Sequence, residues 1–338
     1  MEINPLSIVL PISAADPSQT GHARRLALMM GRTLGFSELR LGQLAIIITE
    51  AAGNISTHAL QGQIVLTPWR FRSDSGIDLL AIDKGKGIAD VGRAFEDGFS
   101  TSGTPGQGLG AMSRLAPTLQ IYSAPATGTV LFACITHESS SDPGAIDQYP
   151  LGYVCVPILG ETACGDAWSF SATPGRSIYI LADGLGHGPM AAEAAQEAVR
   201  VFHEQSHLSP TQILKEGHAA LARTRGAAVS IAEIDHDKQV LNYVGVGNVC
   251  GSILHAGKTR NMVTMSGTLG HSIRSLQQFS YPWHNDSSLI MHSDGITTRW
   301  SLDQYPGLAS RHPALIAGVL YRDASRKHDD VTVLVASI

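Results

Sequence analysis

The stretch DGFSTSGTPGQGLGAMSRL, residues 97–115, sets Gly103, Gly106, Gly108 and Gly110 directly ahead of a helix-like AMSRL run. Glycines at this spacing leave backbone N–H groups uncovered at a helix start, and such groups cradle phosphates. A glycine-rich loop is also an ordinary surface feature, so its meaning depends on its surroundings. Upstream, Asp83-Lys84-Gly85-Lys86-Gly87-Ile88 follows an apolar strand-like run. It places an acidic side chain at a strand end, before two glycines that let backbone approach a flat ligand. Further upstream lies SELRLGQLAIIITEAAGNISTHAL, residues 37–60, with Leu44, Ile47, Ile48, Ala51 and Ile55 on one apolar helical face. Glu50, Asn54 and His58 recur at i, i+4 along its margin. Taken alone, that polar stripe reads as solvated helix surface.

Outward from these motifs, the first half reads as an α+β sandwich. A strand is expected over Ser7 to Pro11, a helix over Thr20 to Leu34 closed by a left-handed Gly35, and a second helix capped by Ser37. Strands are expected over Gln63 to Trp69, Gly76 to Ile82 and Thr129 to Ile135. HESSSDPGAIDQYP, residues 137–150, is rich in Ser, Asp, Pro and Gly and reads as a linker. The expected division is a first domain over 1–135, a linker over 136–149 and a second domain over 150–338. The second half alternates strand-like runs (Ser177 to Ala182, Ala228 to Ile234, Val240 to Val244, Ser288 to His292, Val331 to Val335) with two helices. The later helix begins at Ser209-Pro210, a cap followed by proline at the first helical position.

Composition narrows the function classes. A chain of 338 residues favours two domains, and 43% hydrophobic against 16% charged residues excludes disorder as its main state. With 24 Lys and Arg against 29 Asp and Glu, a net charge of −5 and no basic run, nucleic acid is not an expected partner. The four cysteines lack any Cys-x-x-Cys pair, which implies reduced thiols and no zinc site. MEINPLSIVLPIS has no basic n-region, and no apolar run reaches the roughly 18 residues needed to span a bilayer. A cytoplasmic protein without membrane partners is expected, and no oligomeric state is implied.

In that order, a Glu/Asn helix, a DxGxGI turn after a strand and a glycine-rich lid before a helix resemble the GHKL ATPases. Within them the likeness is to the RsbT-like serine kinases of bacterial partner-switching systems. The resemblance covers residues 1 to about 135 and implies an ATP site with Mg. It would have Asn54 hold Mg, Asp83 accept from the adenine amino group, and Gly85 and Gly87 line the base. Gly106, Gly108 and Gly110 would cradle phosphates. Glu50, one turn before Asn54, would orient or deprotonate an incoming serine hydroxyl. Histidine-kinase function is less favoured, because no helical hairpin with a phosphoacceptor histidine is read ahead of the first domain.

Four acidic spots in the second half sit where apolar strands end: CGDAW at Asp166, LADGLGHG at Asp183, MHSDGI at Asp294 and HDDVTVLV at Asp329-Asp330. A lone Asp-Gly is ordinarily a turn. Four carboxylates at separate strand ends can instead converge on hard divalent cations, which take oxygen ligands and activate water for attack on phosphorus. The pattern is similar to the 2C-type metal-dependent phosphatases, in their SpoIIE-like and RsbX-like branch, a β-sandwich flanked by helices. That resemblance implies two Mn or Mg ions bridged by Asp183, held by the Gly184 carbonyl, and completed by Asp166, Asp294 and Asp329 directly or through water. Asp330 is the less favoured of its pair. His187 is read either as a proton donor to the leaving serine oxygen or as a cap for the helix near Pro189. The wider family grips phosphate with a basic residue near its first motif. No counterpart precedes Asp166, so recognition is expected to depend on the partner protein.

Together the resemblances imply a bifunctional kinase and phosphatase acting on STAS-domain antagonists. The alternatives are a phosphatase whose first domain is a non-catalytic ATP-binding docking or regulatory module, or an anti-sigma factor.

Overall fold

The computed structural model describes residues 6–71, 74–95, 108–137, 150–326 and 328–337. In the first of its two units, Pro5–Ala145, strand β1 (Ile8–Ser13) leads into helix α1 (Ser18–Thr33). The helix stops where Gly35 adopts a φ of +84°, and Phe36 N–H returns to the Gly31 carbonyl at 2.9 Å. That six-to-one closure satisfies a carbonyl the helix end would otherwise leave open. Ser37 then accepts the Arg40 N–H at 3.3 Å and starts α2 (Glu38–Asn54), as its position predicts. The expected apolar face is buried at Leu44, Ile47, Ile48, Ala51 and Ile55. Regular α-helix ends at Asn54, and the chain widens into one π turn over Ile55–Ala59 before Leu60 breaks it at a φ of +66°.

Strands β2 (Gln61–Phe71) and β3 (Asp74–Asp83), short helix α3 (Val91–Ala94), helix α4 (Gly108–Leu115), β4 (Thr118–Ala124) and β5 (Gly128–Thr136) complete the first unit. Its antiparallel sheet runs β1-β2-β3-β5-β4. Strand β4 is an addition to the strands read from the sequence. One sheet face supplies Ile64, Leu66, Ile77, Leu79, Leu131 and Ala133 to a core shared with α1, α2 and Met112 of α4. Gly103 and Gly106 of the lid, and the expected linker apart from Thr136 and His137, lie outside the described residues.

The second unit, Ile146–Ile338, holds β6 (Leu151–Val156), β7 (Asp166–Thr173), β8 (Arg176–Gly184), α5 (Pro189–Gln205), α6 (Pro210–Ala220), β9 (Ala227–Asp235) and β10 (Val240–Val246). It continues with β11 (Cys250–His255), β12 (Lys258–Asn261), the two-residue strands β13 (Gly267–Thr268) and β14 (Ser272–Ile273), β15 (Phe279–Pro282), β16 (Ser288–His292), α7 (Pro313–Ala324) and β17 (Val331–Ser337). Two five-stranded sheets, β15-β10-β9-β8-β7 and β12-β11-β16-β17-β6, pack on one another through β7 against β6 and β17. Helices α5 and α6 cover the first sheet, and α7 covers the second.

Side chains alternate along β8, so Ile178, Ile180 and Ala182 meet Ala195, Val199 and Phe202 of α5, while Tyr179, Leu181 and Asp183 point to the opposite face. A two-residue turn, Pro174-Gly175 with Gly175 at a φ of +77°, joins β7 to β8 and pairs Thr173 with Arg176. Ser209 and Gln212 form a capping box ahead of α6. The four cysteines are free thiols, with the Sγ atoms of Cys155 and Cys164 at 3.8 Å. Among the described residues no helix is long and apolar enough to cross a membrane.

Gly152 of β6 lies under the start of α7, where an added Cβ would stand 2.0 Å from Ala314 N. Gly152→Ala is expected to lower the stability of the second unit by about 1–3 kcal/mol through overpacking. Calorimetry of the variant would show the second unit's transition displaced downward and the first unit's unmoved. An unchanged thermogram would contradict the packing described for α7.

Candidate functional site

In the first unit, three motifs distant in sequence meet around the C-terminal half of α2. Helix α4 packs against α2. A Cβ on Gly108, at the first position of α4, would come within 2.5 Å of Glu50 Oε2 and 3.9 Å of Asn54 Oδ1. The lid's helix start, the acidic residue and the amide therefore share one small volume, and only a residue without a side chain fits between them. Asp83, at the end of β3, accepts the N–H groups of Gly85 at 2.7 Å and Thr129 at 3.2 Å, which fixes the carboxylate at the sheet edge. Gly85 lies against Ala59 in the π turn, and Gly87, at a φ of +70°, passes so close to the Ala124 carbonyl that a Cβ would sit 2.0 Å from it. Gly110 is buried in α4. His58 is half-buried, and burial together with Lys86 pushes its imidazole below the ordinary value, partly offset by Asp83.

In the second unit, sheet register brings the first two acidic motifs together. Asp166 opens β7 directly opposite Asp183 on β8. Residues directly opposite in an antiparallel pair project to the same face. Asp294 follows β16, and Asp329 precedes β17, the neighbouring strand of the other sheet. Asp166 is buried, whereas Asp183, Asp294 and Asp329 are half-buried, so the cluster has one closed and one open side. Burial drives the carboxyls of Asp166 and Asp183 well above the ordinary carboxylate range, and their acidic neighbours push the same way. Burial and then Asp294 raise Asp329. Asp166 Oδ2 is buried with no hydrogen-bond partner, and so is Thr332 Oγ1.

Asp330 stands apart from this group. Its oxygens accept the N–H groups of Ile158 at 2.8 Å and Gly165 at 2.9 Å, while its own N–H goes to Asp329 Oδ1 at 2.9 Å. Gly184 lies under α5, where a Cβ would be 2.0 Å from the Ala191 carbonyl. His187 does not cap α5: the cap is Gly188, without a side-chain bond, and His187 Nδ1 lies 3.2 Å from Glu161 Oε1. Among the described residues no three His, Cys, Asp or Glu side chains are gathered tightly enough to hold an ion. A buried unpartnered oxygen and an all-carboxylate donor set nonetheless suit a hard divalent cation completed by carbonyl and water oxygens.

Sequence reasoning missed Asn248, which follows β10 and whose Nδ2 donates to Asp294 Oδ2. Its only signal was a polar residue in GVGN at a strand end. Two further histidines are engaged by the fold: His292 is buried between the Ser293 carbonyl and the Trp300 indole, and His203 meets Ser169.

Residues 13–135 match the histidine kinase-like ATPase domain family, and residues 173–338 match the Stage II sporulation protein E (SpoIIE) family. The serine/threonine-protein kinase RsbT of Bacillus subtilis (strain 168) is 36% identical over 111 residues, which is 33% of this chain and 84% of that protein. The phosphoserine phosphatase RsbX of the same organism is 28% identical over 139 residues, 40% of this chain and 69% of that protein. A solved chain described with the bacterial stressosome, as a modular system adapted to control secondary messenger signalling, superposes with a TM-score of 0.52 at 28% identity. The match covers 56% of this chain and 98% of that chain.

The raised carboxyls give a pH dependence of definite sign. A folded-state pKa above the unfolded value means that the folded form holds extra protons, so the contribution to stability is fully present below about pH 4 and is lost as pH rises through the raised values. In metal-free buffer the second unit is therefore expected to melt at falling temperature from pH 5 upward. Asp183→Asn should flatten that slope and raise the melting temperature at neutral pH by several degrees, roughly 1–2 kcal/mol. A steeper slope in the variant would contradict the electrostatic picture of the cluster.

Proposed function

This chain belongs to the RsbT-like histidine kinase-like ATPase domains through its first unit and carries an RsbX-like SpoIIE domain in its second, and on that premise we propose a bifunctional partner-switching regulator. Its first unit transfers phosphate from ATP to a serine of a STAS-domain antagonist. Its second unit hydrolyses phosphoserine or phosphothreonine on such a protein. The observation that carries the reading is the opposition of Asp166 and Asp183 beside Asp294 and Asp329, with Asp166 Oδ2 buried and unpartnered.

In the second unit, Asp183, Asp166, Asp294, Asp329 and the Gly184 carbonyl would hold two Mn or Mg ions. Bound there, the ions would supply an activated water and neutralise charge on the phosphate. The chain's own part is positional. Asp166 keeps its charge at depth only against a cation, Asn248 orients Asp294, and Asp330 holds the loop ahead of Asp166. Water adds to phosphorus as the bond to the seryl oxygen breaks, and that oxygen takes a proton, for which exposed His187 is the nearest donor on the Asp183 loop.

In the first unit, Asn54 would hold Mg, and Asp83, with Gly85 and Gly87, would receive adenine. Gly108 and Gly110 would receive the phosphates, as would Gly106 outside the described residues. Glu50 would take the serine proton while the γ-phosphoryl group passes from the ADP oxygen to the serine oxygen. The meeting of Glu50 and Asn54 with the first residue of α4 supports this assignment. Two opposed reactions on one partner require regulation or distinct target residues to separate them.

Phosphate transfer from labelled ATP to a STAS-domain protein tests the pair, using Asp183→Asn so that product is not erased. Label that appears on the STAS protein and disappears when Glu50 is also replaced supports the kinase. Tight ATP binding without label would make the first unit a docking or regulatory module. Asp183→Asn should in turn lower Mn-dependent phosphatase activity by roughly 100-fold or more while ATP binding persists, and Asn54→Asp should do the reverse.

A further inference from the structure

The turn Thr224-Arg225-Gly226, which feeds β9, is held on several sides. Thr224 Oγ1 donates to the Leu221 carbonyl at 2.8 Å and accepts Gly226 N–H at 3.0 Å. The Gly226 carbonyl receives the N–H of Leu185 at 3.0 Å, binding the turn to the loop that leaves Asp183-Gly184. The Arg225 carbonyl receives the Nε2–H of His271 at 2.9 Å. Gly226 has a φ of +77°, and a Cβ there would stand 2.7 Å from the Leu269 carbonyl, so both conformation and space demand glycine.

What this framework presents is one exposed cation. The Arg225 Nη1 lies 3.1 Å from the place a Cβ on Gly186 would occupy, over the loop three residues beyond Asp183. Among the described residues its guanidinium makes no hydrogen bond and no ion pair. Two other arginines of the same unit are engaged in this way: Arg176 binds Glu233 at 2.6 Å and the Leu208 carbonyl at 2.7 Å, and Arg200 binds Glu197 at 2.7 Å. A guanidinium held near an acidic cluster without joining it retains a planar fork of donors for an incoming anion. Such a fork matches two oxygens of one phosphate group.

We propose that Arg225 grips the phosphate monoester in the second-unit site, donating to two non-bridging oxygens beside the Asp183 loop. This rests on the phosphatase reading. It supplies the basic residue that no position before Asp166 provides: the cation comes from a turn later in the chain and nearby in space. It also counters the repulsion that the cluster of carboxylates exerts on a phosphate dianion.

The test uses the full chain with Mn, p-nitrophenyl phosphate as substrate and inorganic phosphate as competitor. Arg225→Ala is expected to raise KM and the inhibition constant for phosphate by roughly 10- to 100-fold, more than it lowers kcat, with Arg225→Lys intermediate. The melting temperature without phosphate, and its rise on adding Mn, should match the unmodified chain, while the further rise caused by phosphate should shrink. Unchanged KM, inhibition and phosphate-induced shift in Arg225→Ala would overturn the assignment while leaving a working phosphatase. Loss of the Mn-dependent rise would also overturn it, by giving Arg225 a structural role. Absence of Mn-dependent hydrolysis in the unmodified chain would instead remove the phosphatase reading and this inference with it.

Discussion

The carboxylate of Asp330, taking one backbone N–H from Ile158 and another from Gly165, is the contact on which the second unit's acidic cluster depends. It ties the start of β17 in one sheet to the segment that delivers Asp166 to β7 in the other. Hydrogen bonds to a charged acceptor are stronger than neutral ones, and a buried carboxylate is tolerable only when so satisfied. The neighbouring glycines follow from the same contact. A Cβ on Gly165 would stand 2.6 Å from Asp330 Oδ2, and one on Gly295 would stand 2.0 Å from the Asp330 carbonyl. The Cys-Gly-Asp, Ser-Asp-Gly and Asp-Asp motifs therefore interlock around one residue, the first at its side chain and the second at its backbone. Within the adjacent pair, one aspartate is consumed by the fold while the other remains half-buried at the cluster.

The two candidate sites are built on opposite physical strategies. In the second unit, carboxylates are brought together against their mutual repulsion and at a desolvation cost that folding alone must carry. In the first unit the means are steric. Gly85, Gly87 and Gly108 clear space beside Ala59, Ala124 and Glu50, and Asp83 is held by two backbone donors.

Much of this was legible in the sequence, and the reasons for the rest are specific. Helix α2 announced itself through one apolar face and a serine cap, and the acidic motifs stood out because each adjoins an apolar strand, although Asp166 and Asp329 stand at strand starts and not at strand ends. Helix α7 gave no such signal. Every residue from Pro313 to Leu320 is buried, so there is no polar face to set a helical period. Strand β4, TLQIYSA, mixes polar and apolar residues without clean alternation, and pairing with β5 decides its state. The π turn after Asn54 is invisible to a pattern of i, i+4 spacing, which predicted helix through Leu60. Asn248 and Arg225 act through neighbours far away in sequence, and no motif containing them says what they face.

The opposition of Asp166 and Asp183 also has a remote origin. These residues sit at the open end of a hairpin whose other end is the Pro174-Gly175 turn, roughly 24 Å away at about 3.4 Å per residue. Because side chains alternate with a period of two, a one-residue slip of register at that turn would rotate Asp183 out of the cluster and into the apolar layer beneath α5. The turn thus serves as the datum from which the acidic centre is measured, and loop length there is under chemical constraint although no reacting group comes near it.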